Sequence, residues 1–329
     1  VLASAAGGAS TTCTDAYTPE RSMRNAGWSD PAADGASPPA WQAKLLQVAD
    51  GAVVHYRWAG QGESVVLCDG IGCDGFIWKH IAPTLAVHHR VLHLHIRGHG
   101  NSPTPPDPER VSIEILADDL VQVLDDSGVQ HAILAGHSMG VQICLEAYRR
   151  HPDRVRALVL ACGSYGSPLR TFYGTDVLHH LLPLLRLFHG RARWPFGLAW
   201  RKLLPTDLAY RIAVHTEVNG TLIHRADMMS YLTHLAAVEP GLFLRMLACA
   251  DRHSAGDILE QIRVPTLLVV GDRDGFTPLT LSREMEHRIP RSSLVVVPGG
   301  THVAPLERPE MVTRAVETFV LMQELDSPD

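Results

Sequence analysis

The chain has 329 residues, 46% hydrophobic and 19% charged, an ordinary globular composition with room for one large α/β domain carrying an inserted module. Its formal net charge of −6 weighs against nucleic acid or an anionic membrane as main partner, and the lack of a run of eighteen apolar residues predicts no transmembrane helix and no stable membrane insertion. Six cysteines (Cys13, Cys68, Cys73, Cys144, Cys162 and Cys249) show neither CxxC pairing nor a compact framework, which argues against a zinc or redox site and makes a reducing cytoplasm the expected compartment.

Residues 1–40 read differently from the rest. "VLASAAGGASTTC" and "SDPAADGASPPA" are rich in Ala, Gly, Ser and Pro without periodicity, which predicts a disordered leader. "VLASAA" could also end a trimmed signal peptide, although no basic or apolar signal region is present, so export stays open. From about residue 44, strand-like and helix-like stretches alternate. "KLLQVAD" and "AVVHYRWAG", split by Asp50-Gly51, predict a hairpin. "SVVLCDG" (64–70) and "VLHLHIRGHG" (91–100) are apolar runs ending in glycine. Residues 113–125 place Ile113, Leu116, Leu120, Val121 and Leu124 on one helical face. "AILAG" follows, then a helix over about 140–151, then "RALVLACG" (156–163). Cys68, Cys144 and Cys162 lie in such apolar stretches and read as small buried hydrophobes.

Between about 164 and 262 the alternation stops. Five helical stretches, with breaks predicted at Pro183, Pro195, Pro205 and Pro240, form an excursion from the sheet. The alternation then resumes with "TLLVVGD" (266–272), "SLVVVPGG" (293–300) and a closing helix over about 308–324. Short apolar runs alternating with helices imply βαβ units around a mostly parallel sheet covered on both faces, a three-layer architecture.

"GHSMG" places Ser138 directly after a buried strand and directly before a helix. A glycine-flanked serine arises by chance in roughly one chain in ten of this length, but this context is what a nucleophile elbow requires. Serine needs a positioned base; "VVVPGGTHVAP" offers His302 in a Gly-rich turn after the last strand. The imidazole needs an anion to fix its tautomer. "LLVVGDRDGFTP" offers Asp272 and Asp274, of which Asp274, deeper in the loop, is the expected acid, while Asp272 orders the turn. Oxyanion donors are expected from the backbone N–H groups of Met139 and of Ile71 in "DGIGCDG".

With these motifs the chain resembles the α/β-hydrolase superfamily over about residues 44–325, through "DGIGCDG", "RGHGNS", "GHSMG", "GDRDGFTP" and "PGGTH" in order. The resemblance implies an α/β-hydrolase core over 41–163 and 263–329, a helical cap over 164–262, and a serine hydrolase whose site lies between cap and sheet edge. The chain departs from the family at Asp69, which stands where its relatives usually carry a histidine supporting the oxyanion loop. Dehalogenases and epoxide hydrolases of this fold use an aspartate at the elbow, so Ser138 argues against both.

The expected activity is hydrolysis of a carboxylic ester through an acyl-enzyme. The substrate would be a small molecule, an ester or lactone with an apolar acyl or alkyl part, and neither metal nor organic cofactor is needed. Lactone hydrolysis, carbon–carbon hydrolysis of diketones, perhydrolysis and acyl transfer share the same triad and stay open, as does a non-catalytic ligand-binding role. His93 and His95 alternate on one strand face near His99, but no carboxylate or cysteine spacing completes a metal site; His179-His180 reads the same way. The cap's "LLPLLRLF", Trp194, Phe196, Trp200, Met228 and Met229 are expected mostly to pack helix on helix, the remainder lining an apolar pocket.

Overall fold

The computed structural model describes residues 40–325 apart from Glu217, so the expected leader, Ala40 excepted, lies outside the described residues. β1 (Gln42–Gln47) and β2 (Val53–Ala59) form the hairpin across Asp50-Gly51. Then follow β3 (Ser64–Cys68), α1 (Ile81–Leu85), β4 (Arg90–His95), α2 (Ile113–Asp126), β5 (Ala132–His137), α3 (Met139–Arg150) and β6 (Val155–Ala161). Five helices come next: α4 (Val177–Arg191), α5 (Arg193–Leu203), α6 (Asp207–Thr216), α7 (Arg225–Ala237) and α8 (Pro240–Arg252). The chain then returns through β7 (Thr266–Gly271), α9 (Leu279–Arg288), β8 (Ser292–Val297), α10 (Ala304–Glu307) and α11 (Pro309–Leu325).

The sheet order is β1-β2-β4-β3-β5-β6-β7-β8, antiparallel at β1/β2 and β2/β4 and parallel thereafter. Side chains alternate between its faces. Val66, Cys68, Leu134 and Leu268 join a core with α2, α3 and α9, whereas Val65, Leu67, Ile133 and Val269 join one with α1 and α11. Helix α2 forms where its periodicity predicted: Ser112 accepts the Ile115 N–H at 3.3 Å, and all five face residues are buried. Chain order reverses between β3 and β5, and crossovers leaving in opposite directions open a crevice at the strand ends. The segments bearing Ile71 and Ser138 leave the sheet there.

Two of the expected proline breaks are corrected. Pro183 sits inside α4 and Pro195 is the third residue of α5; the break between these helices falls at Ala192, at φ −128° and ψ 43°. A proline in the first turn costs little because that N–H has no intrahelical partner, and Pro183 removes only one bond from a fifteen-residue helix. Pro205 and Pro240 do separate helices. The excursion is not uniformly detached from the sheet. Leu242, Met246 and Ala250 of α8 pack into the α2/α3 core, while Leu244 and Ala248 form a small cluster with Leu169 and Leu182.

Candidate active site

Ser138 stands between β5 and α3 at φ 55° and ψ −120°. Such a backbone costs a non-glycine residue about 1–3 kcal/mol and is held by neighbours on both sides. The Ser138 N–H donates to Ala161 O at 3.1 Å, and Ser138 O accepts the Val141 N–H at 3.0 Å. The strand-to-helix crossing is too tight for side chains: a Cβ on Gly136 would lie 2.4 Å from Gly140 O, and one on Gly140 2.3 Å from Cys68 O. The hydroxyl thus projects at the N-terminus of α3, where the helix dipole favours negative charge.

Residues far apart in sequence converge on it. His302 Nε2 lies 2.9 Å from Ser138 Oγ, and His302 Nδ1 lies 3.1 Å from Asp274 Oδ2 and 3.2 Å from Oδ1. With Nδ1–H donating to the carboxylate, Nε2 is left to accept a hydrogen bond from the Ser138 hydroxyl. Asp274 is buried and also accepts the N–H groups of Phe276 and Thr277 and the Thr277 hydroxyl, at 2.8–2.9 Å. Burial alone would push its carboxyl up; His302 and the Thr277 donors outweigh this and hold it below its ordinary value. Asp272 accepts the Gly299 N–H at 2.8 Å and so ties its own turn to the histidine loop.

Sequence reasoning missed several supports. Glu307 is buried and accepts the Thr301 N–H at 2.6 Å and hydroxyl at 2.8 Å, together with the Asn219 N–H at 2.7 Å from the excursion. Burial raises its pKa. His137, buried beside the serine, donates Nε2–H to the His302 carbonyl at 2.9 Å; burial lowers its pKa to about 4, so the ring is neutral. Phe276 packs on the His302 ring at 4.8 Å. The His137 signal was present in "GHSMG"; Glu307, five residues beyond His302 on an ordinary-looking helix, carried none.

The loop that carries Asp69, Gly70 and Ile71, expected to supply an oxyanion donor, lies against the serine. A Cβ on Gly70 would be 2.7 Å from Ser138 Cβ, and neither the Ile71 nor the Met139 N–H has a protein acceptor among the described residues. Asp69 finds its own brace. Its Oδ2 accepts His93 Nε2–H at 2.8 Å, and His93 Nδ1 accepts the Arg57 Nε–H at 3.2 Å, with Asp69 and His93 both buried. His93 and His95 therefore belong to a buried imidazole group behind the loop, with His55 and His95 rings 4.7 Å apart. Burial pushes His55 and His99 down to about 4 and lowers His95 as well. No group of three or more His, Cys, Asp or Glu among the described residues could hold a metal ion.

Ser138, His302, Ile71 and Met139 all line one cavity of about 490 Å³, roofed by α6, α7 and α8. Its walls are mostly apolar, with Met228, Leu232 and Leu235 contributed by α7. Tyr231 and Leu235 press on Gly72 of the oxyanion loop. The apolar residues of the excursion divide in a way composition did not foresee. Trp200 packs inward, its Nε1–H donating to Leu235 O at 2.9 Å, and Met228 lines the cavity, but Trp194, Leu184 and Phe188 face solvent. The five cysteines among the described residues are free and buried.

A family model described as alpha/beta hydrolase fold matches residues 63–309. A pimeloyl-[acyl-carrier protein] methyl ester esterase from Aeromonas hydrophila is 27% identical over 277 residues, 79% of this chain and 96% of that protein. Bifunctional epoxide hydrolase 2 of Mus musculus is 24% identical over 310 residues, 86% of this chain but 56% of that protein. Among solved structures, the enol-lactonase from Burkholderia xenovorans LB400 superposes with a TM-score of 0.69 at 22% identity, covering 84% of this chain and all of that one.

Proposed function

The chain belongs to the alpha/beta hydrolase fold family, and from that premise we propose that it hydrolyses a carboxylic ester with an apolar acyl or alkyl part, through an acyl-enzyme on Ser138. The observation that carries this reading is the relay Ser138–His302–Asp274, with contacts of 2.9 and 3.1 Å, opening into an apolar cavity. Ser138 Oγ attacks the ester carbonyl as its proton passes to His302 Nε2. Asp274 holds the imidazole in the accepting tautomer and stabilises the imidazolium. The N–H groups of Ile71 and Met139 receive the oxyanion, each worth roughly 3 kcal/mol by the precedent of other oxyanion holes. His302 returns the proton to the leaving alkoxide, and water, deprotonated by the same nitrogen, releases the acid.

The epoxide hydrolase relative does not carry its chemistry over. Opening an epoxide with a serine oxygen would leave an ether on Ser138, without a carbonyl for water to attack, so turnover would end after one cycle. A lactone needs the same steps with the leaving alcohol tethered to the acyl group. Initial rates on p-nitrophenyl esters from acetate to dodecanoate, with Ser138→Ala alongside, test the proposal. Turnover by the wild type and its loss in the variant support it; equal rates for both proteins, or none for either on esters and lactones alike, overturn it.

A further inference from the structure

We propose that α4, α5 and α6 form a docking face for an anionic phospholipid surface, from which an apolar ester enters the cavity. The observation is an apolar stripe where a water-facing stripe should be charged. On α4, the packed positions Leu178, Leu182 and Leu185 are flanked, about a quarter turn round the helix, by Val177, Leu181, Leu184 and Phe188, spaced by four, three and four, all exposed. An apolar sector this wide is ordinarily buried across its whole width, and here only the Leu178–Leu182–Leu185 edge is packed. The pattern recurs at i, i+4 on the next two helices, with Trp194 and Leu198 on α5 and Leu208 and Ile212 on α6. The exposures are large: Leu184 62%, Trp194 78%, Leu208 67% and Ile212 56%.

Charge selects the occupant. Across residues 177–216 there are six cationic residues, Arg186, Arg191, Arg193, Arg201, Lys202 and Arg211, against one carboxylate, Asp207, in a chain whose net charge is −6. Asp207 is already paired with Arg225, and among the described residues Arg191, Arg201, Lys202 and Arg211 have no carboxylate partner. Basic residues beside exposed Trp, Phe and Leu are the composition of a helix lying in a lipid interface. A two-fold contact with a second copy would instead bring the same cationic residues together. The overall negative charge, which weighed against a membrane partner, conceals this local reversal. The proposed docking is peripheral, by side chains that project from the surface; no single described helix is long and apolar enough to cross a membrane.

The face is continuous with the site. Ile212 is exposed yet lines the cavity over Ser138, together with Leu204 and Ala209. The docking rests on the helices alone; that it delivers an ester to Ser138 rests on the serine hydrolase reading above.

Flotation of the full chain with vesicles of pure phosphatidylcholine, or with 30% phosphatidylglycerol added, tests the docking. Wild type is expected to partition at least tenfold more strongly onto the anionic vesicles, with the advantage lost in 0.5 M salt. Leu184→Asp, Trp194→Ser and Leu208→Asp, all at exposed positions outside the cavity lining, should abolish that partition while keeping hydrolysis of soluble p-nitrophenyl butyrate within about twofold. Equal or absent partition onto both vesicle types overturns the proposal. So does a wild-type dimer in analytical ultracentrifugation that the same substitutions dissolve, since the face then belongs to a second copy. Vesicle binding with no hydrolysis of any ester upholds the docking and rejects the ester reading instead.

Discussion

The cavity has two walls built on opposite principles. The sheet-side wall holds its groups by redundant hydrogen bonds and by contacts that leave no room for a Cβ: Asp274 has four donors, and glycines at 136 and 140 admit no side chain. The helical wall is held by apolar contact. Of its helices, α7 has no side-chain hydrogen bond at its N-cap, and α8 has one, from Glu239 accepting the Leu242 N–H at 2.6 Å. Directional bonds fix the geometry a reacting bond needs. Non-directional contacts leave a wall that substrates of different length can shape.

The sharpest test of the comparison is Ser138→Ala, which should lower ester turnover by about 10⁴-fold or more without changing the unfolding midpoint by more than a degree or so. A smaller loss would mean that the sheet-side wall is not where the reaction occurs. Next comes the ionic tie behind it. Arg97 is buried and bonds Asp119 in two places, at 2.6 and 2.7 Å, and Asp50 in two more. Asp119→Ala should cost about 3–5 kcal/mol in urea unfolding, since a buried guanidinium loses its closest partner. A cost below 1 kcal/mol would show that the rigid wall does not depend on it.

Acid should also reach the sheet-side wall. His55, His99 and His137 are held neutral with pKa values near 4 by burial, whereas the unfolded chain takes up protons below about 6.5. The unfolded state then binds more protons, so stability is complete above that value and falls as pH drops toward 4, by on the order of 2 kcal/mol per histidine at pH 5. Denaturant midpoints at pH 7 and pH 5 measure this; equal midpoints would remove it. The smallest effect belongs to the helical wall. Ala213→Leu points into open cavity, so stability should change by less than about 1 kcal/mol while the chain-length optimum moves to shorter esters. An unchanged optimum would mean that α6 does not shape the acyl site.

The same division decides what could be read in advance. Strands, their alternation and the motifs at their ends were legible because a buried sheet imposes runs of Val, Leu and Ile, and sharp turns impose glycine. Ser138, His302 and Asp274 were singled out by the elements that precede them, and the structure brings them within hydrogen-bond distance of one another. Glu307 and His93 were not assigned to the site, because their roles exist only once distant segments meet: Glu307 with Thr301 and Asn219, His93 with Asp69 and Arg57. In the excursion, composition identified helices but not their ends, since Pro183 and Pro195 were absorbed where little hydrogen bonding was lost. Nor could apolar content say which leucines are packed when two adjacent flanks of α4 carry them.

Glu307 makes the two walls mechanically dependent. One of its oxygens accepts from Thr301 and from Asn219, the other from Thr301, and the Asn219 side chain itself donates to Gly299 O at 2.9 Å. If the excursion swings away far enough to carry Asn219 with it, a buried carboxylate loses a donor, a cost of about 1–3 kcal/mol, and the turn carrying His302 loses its outer tether. On the proposed reading, in which His302 is the base, Glu307 ties the position of that base to the seating of the roof.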